Sequence, residues 1–108
     1  MTDNSAPDRP VIDEPNLDAA TEVLAEARQR LAEAPADLVV SNHAMGLYEL
    51  AAIHLTAAPP NLVEAALAID ALGCLVDGLG ERLGENHEAL RDALENIRLA
   101  FVQVKNTL

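Results

Sequence analysis

Two stretches in the second half of the chain carry the residue spacing that most constrains its fold. In residues 65–83 and again in residues 90–108, apolar side chains recur at intervals of four, three, four, three and four residues. This heptad spacing places them on one face of a helix, where they can pack against a matching face. Because the connection between the stretches is short, we predict an antiparallel helical hairpin. The two seams are Ala65, Ile69, Leu72, Val76, Leu79 and Leu83, and Leu90, Leu94, Ile97, Phe101, Val104 and Leu108.

The composition extends the helical prediction to the rest of the chain. Of 108 residues, 20 are Ala and 17 are Leu, and these two residue types lose little side-chain freedom in a helix. Val and Ile number only 12 together, and no run of alternating apolar and polar residues indicates a strand. We therefore predict an all-α fold, a small helical bundle that ends in the hairpin.

Prolines divide the chain into three predicted parts. Residues 1–16 hold three prolines and four carboxylates, a composition typical of a disordered acidic tail. Residues 17–34 form a predicted N-terminal helix, which either docks on the rest or is loosely attached. Residues 37–108 form the predicted helical core domain, with helices over 37–58, 61–83 and 86–106. Asp37, Asn61 and Asn86 are the predicted N-caps, since their short polar side chains can accept free amides of a first turn.

The charge of the chain excludes several classes of function. With 18 carboxylates against seven Lys and Arg, the net charge is −11. Nucleic acids and anionic membranes both attract clustered basic residues, so we expect neither as a partner. A lone cysteine, Cys74, excludes a disulfide framework and a Cys-based zinc site. We expect a cytoplasmic protein with no cofactor and no bound metal, and a basic surface as the natural complement of its charge.

A line of small and acidic residues runs beside the first seam and suggests a contact face. Without a Cβ, glycines in this line allow another helix to approach closely. We expect a homodimer that shares the seam, because two-fold pairing is the commonest oligomeric solution. Asp70 and Arg98, on facing helices, are the predicted structural ion pair. The predicted interface consists of Ile69, Leu72, Gly73, Val76, Gly80, Ile97 and Phe101.

No catalytic constellation is visible in the sequence. It contains no nucleophile elbow, phosphate-binding loop or zinc-protease motif, and we predict Cys74 to be a buried, inert thiol. One alternative is a ligand- or metal-binding bundle that uses His43, His54, Asp70 and Asp77. The two histidines lie 11 residues apart, about 16 Å along a helix, which is too far for a single ion. The simpler interpretation is therefore that His43 and His54 are either exposed or hydrogen-bonded within the fold, and that neither binds a metal ion.

Two segments of the predicted hairpin carry a recognisable pattern. They are Ala66-x-x-Ile69-Asp70-x-Leu72-x-x-Leu75 and Leu94-x-x-Ile97-Arg98-x-Ala100-Phe101-Val102. This pattern resembles a small bacterial family known as domain of unknown function 1844, which has Ile-Asp in one helix and Leu-Arg-x-Ala-Tyr-Val in its last helix. In place of the family's Lys-Thr-x-Gly-Asn-Leu turn, this chain has residues 78–84, and whether this turn is functional stays open. The resemblance implies a cytoplasmic all-α domain with no assigned activity.

These observations favour a non-enzymatic protein-interaction or adaptor module. The core would form the dimer through the hairpin, and the acidic tail with the first helix would face an unidentified partner protein.

Overall fold

A computed structural model describes residues 14–108, and all regular secondary structure in this range is helical. The helices are α1 (Glu14–Glu33), α2 (Ala36–Leu55), α3 (Leu62–Leu79) and α4 (His87–Thr107), with a 3₁₀ segment, Gly80–Asn86, between the last two. The all-α prediction is therefore confirmed. Most of the predicted acidic tail lies outside the described residues. Glu14–Asn16, however, belong to α1, where Pro15 suits a first turn that needs no backbone donor.

The described residues divide into two compact units, residues 14–34 and 35–108. In the first unit, α1 carries an apolar line at heptad spacing, and its leucines Leu17, Leu24 and Leu31 are all more than half exposed. In the second unit, α2, α3 and α4 pack against one another, and α2 contacts α3 most extensively. This unit is the helical core, and it begins two residues before the predicted boundary.

The two predicted seams form the centre of this core. Leu72, Leu83, Leu90 and Leu94 are almost completely buried. Arg98 lies against Gly73, while Phe101 and Val102 lie beside Ala66 and Ile69, so α4 runs antiparallel to α3. The antiparallel hairpin expected from the sequence is therefore present. The remaining core positions are Ala44, Ala51, Leu55, Ala65, Ala68, Ile69, Val76 and Ile97.

The ends of α2 and α3 agree only in part with the predicted caps. At α3, the side chain of Asn61 accepts a hydrogen bond from the Glu64 backbone N–H at 3.2 Å, as predicted. At α2, the N-cap is Pro35 and not Asp37, so the prediction for Asp37 is wrong. The helix starts one residue earlier than predicted, and Asp37 lies in its first turn, with its carboxylate against Gly84.

The turn between α3 and α4 is fixed by its backbone conformation, by a buried leucine and by a hydrogen bond to α2. Gly80 ends α3 with a φ of 54°, and Gly84 has a φ of 78°, conformations that L-residues with a side chain rarely adopt. Between them, Leu83 is buried in the core, and its carbonyl accepts a hydrogen bond of 3.1 Å from the buried Ser41 hydroxyl of α2. The turn is therefore an integral part of the core rather than a loose connection.

Candidate interaction surface

The predicted interface residues lie inside a single chain. Ile69, Leu72, Val76 and Ile97 are at most 4% exposed, and they contact the other helices of the core. Gly73 is also buried, and Gly80 and Phe101 are half-buried. For the five buried residues the prediction of contact with a second copy is therefore wrong, and for Gly80 and Phe101 it stays a prediction. The reason is that the two heptad seams pack against each other and against α2, so their buried residues are not available to a second copy.

Of the glycines in the line beside the first seam, Gly73 alone lies against α4. At Gly73, an added Cβ would lie 2.7 Å from Nη2 of Arg98 and 3.8 Å from Leu94, so the guanidinium group of Arg98 lies across the glycine. An added Cβ at Gly80 would meet no atom within 4 Å, and Gly84 lies against α2. The expected close approach of another helix along the whole line is therefore not found.

Arg98 forms an ion pair with a different aspartate from the one predicted. Its Nη2 lies 3.7 Å from Oδ2 of Asp77, and between residues 14 and 108 no pair joins it to Asp70. Helical side chains lean towards the N-terminus of their own helix. In an antiparallel hairpin, this lean directs Arg98 and Asp77 towards each other and turns Asp70 away. Both partners are at least half exposed, so the pair contributes little to stability.

Two shallow depressions lie on the surface of the hairpin, and Asp70 and Arg98 line both of them. The first, of about 200 Å³, is mainly apolar and is completed by Ala66, Ile69, Phe101 and Val102. The second, of about 550 Å³, is wide open and is completed by Gly73, Cys74, Asp77 and Gly78. Neither encloses a small molecule, and both are part of the outer surface of the hairpin.

Substituting Gly73 with alanine is expected to stabilise the core by roughly 0.5–1 kcal/mol. Alanine favours the helix over glycine, and only the end of the flexible, half-exposed Arg98 side chain has to move. Urea unfolding measures the change. A loss of more than about 1 kcal/mol would contradict this account and would mean that the position of Arg98 over the glycine matters to the fold.

Cys74 is exposed, and the prediction of a buried thiol is wrong. It follows Gly73 directly, and the step of about 100° per residue carries it from the buried side of α3 to the outer side. The sequence pattern placed the seam correctly but did not identify what lies opposite the seam.

The residues proposed for a metal or ligand site are not brought together. Asp70 and Asp77 share an edge of α3, while His43 is exposed on α2 and His54 is half-buried there. In the part of the chain that the structure describes, no three His, Cys, Asp or Glu side chains converge as a metal-ligand set. The geometry therefore gives the alternative interpretation no support.

A different surface emerges on the solvent side of α3. Val63 is 78% exposed and Leu67 is 68% exposed. Ala71, Cys74 and Gly78 continue this line at helical spacing, the first half-buried and the other two exposed. We call these five residues the α3 outer face. None of them carries a charge.

A signal for this face was present in the sequence. Residues 62–79 contain only three charged side chains, Glu64, Asp70 and Asp77, so α3 is apolar around most of its circumference. A helix of this kind is normally covered on several sides, and α4, by contrast, is clearly amphipathic. In a three-helix core, one side of α3 has to stay uncovered.

Comparisons with known proteins do not assign the surface. No protein-family model, no curated protein and no solved structure matches the chain. Among the helices of residues 14–108, none combines the length and apolar character needed to cross a membrane.

Proposed function

We propose that this chain is a homodimeric protein-interaction module of the cytoplasm, not an enzyme, and that two copies meet through the α3 outer face. The observation that carries the proposal is the exposure of Val63 and Leu67 on a face without charge. Contiguous apolar surface of this kind is typical of interaction sites.

A second copy is the occupant that we propose for this face. The five residues of the face carry no charge, and the exposed carboxylates Glu64, Asp70 and Asp77 border them on α3. A second copy buries the apolar side chains of Val63 and Leu67 while these carboxylates stay in solvent at the rim of the contact.

The expected affinity is modest. Fully burying a Val or Leu side chain stabilises by about 1.5–3 kcal/mol, and Val63 and Leu67 of both copies are about 70% exposed before association. Their burial therefore contributes on the order of 4–8 kcal/mol, with a smaller contribution from Ala71 and Cys74. Association itself costs about 4 kcal/mol or more, so at most about 4 kcal/mol remains, and this predicts a dissociation constant of about a millimolar or weaker.

The adaptor part of the proposal rests on α1. Its exposed leucines, Leu17, Leu24 and Leu31, recur every seven residues, as in helices that insert one apolar face into a partner's groove. Glu22, Glu26 and other carboxylates occupy its remaining faces. A groove with a basic rim is the complementary partner.

The resemblance to the domain of unknown function 1844 family and the cytoplasmic location belong to the same proposal. The motif residues Ile69-Asp70 and Ile97-Arg98 lie on the two helices of the antiparallel hairpin, as the resemblance leads us to expect. A single free thiol on the surface suits a reducing compartment.

Sedimentation equilibrium of the full chain between about 5 µM and 1 mM, a range set by the expected affinity, tests the dimer. We expect a monomer–dimer equilibrium at pH 7 under reducing conditions. A chain that stays monomeric at the highest concentration overturns the proposal.

Salt is expected to strengthen this dimer severalfold between 20 mM and 500 mM NaCl. Two copies that each carry −11 repel one another, and added ions screen the repulsion while leaving the apolar contact intact. The same sedimentation experiment, repeated at both salt concentrations, measures the change. Association that weakens with salt would point instead to contacts between opposite charges.

A further inference from the structure

We draw no further inference here: the strongest candidate, the shallow apolar depression between α3 and α4 that Asp70, Arg98 and Phe101 line, is open to solvent, and nothing in the structure shows what covers it.

Discussion

Replacing Gly84 with alanine is expected to destabilise the helical core by about 2–4 kcal/mol. Gly84 has φ 78° and ψ −149°, a backbone conformation that costs an alanine roughly 1–3 kcal/mol. The new Cβ would also lie 3.1 Å from Cγ of Asp37 and closer still to its Oδ2, so the carboxylate has to move. Because Leu83 is buried directly before this residue, the turn cannot relax without disturbing the core. Urea unfolding followed by circular dichroism measures the loss.

Gly46 provides the matched control for this substitution. It lies within α2, and an added Cβ there meets no atom within 4 Å. The same glycine-to-alanine change is therefore expected to stabilise the helix by about 1 kcal/mol. Asp37→Ala, added to Gly84→Ala, removes the contact and is expected to restore less than half of the loss, because the backbone conformation remains. Equal stability of the two alanine variants would mean that the turn does not hold Gly84 at a positive φ.

The sequence predicted the helices of the core well because their determinants are local. The heptad seams of α3 and α4 and the cap at Asn61 depend on residues a few positions apart, and the structure contains them except for Leu108, which is 72% exposed. Asp37 shows where such local rules fail. Its side chain suits an N-cap, but Pro35, two positions earlier, is the N-cap, and Asp37 packs on a turn 47 residues later.

The surface was harder to predict, because a periodic pattern does not say which partner covers it. Ile69 and Ile97 have the spacing of an interface, and they contact helices of their own chain. Arg98 pairs with Asp77 because of the direction in which side chains lean in an antiparallel hairpin. The spacing of residues in the sequence does not reveal this direction. The exposure of Val63 and Leu67 was not predicted, because they lie outside the seam and their exposure depends on how the three helices of the core pack.

Substituting Leu67 with glutamate is expected to weaken dimer formation at least 100-fold, which corresponds to about 2.7 kcal/mol. The change removes the exposed apolar side chain of Leu67 from both copies and places a carboxylate in the proposed contact. Burying an unpaired charge in such a contact is costly. The folded monomer should keep its stability, since Leu67 is 68% exposed in the single chain. Sedimentation equilibrium measures the association, and urea unfolding checks the fold.

Leu99→Glu separates the effect of the α3 outer face from that of net charge. Leu99 is 58% exposed on α4, and its substitution changes the charge of the chain by the same amount. If the α3 outer face forms the dimer, Leu99→Glu retains most of the association, with only the small loss that one more negative charge per copy causes. An equal loss in both variants would assign the effect to charge repulsion, whereas no loss in either would remove α3 from the interface. The core also leaves large apolar side chains exposed on α2 and α4, among them Ile53 and Leu99, so exposure alone does not select α3. A large effect at residue 67 combined with a small one at residue 99 would assign the contact to α3.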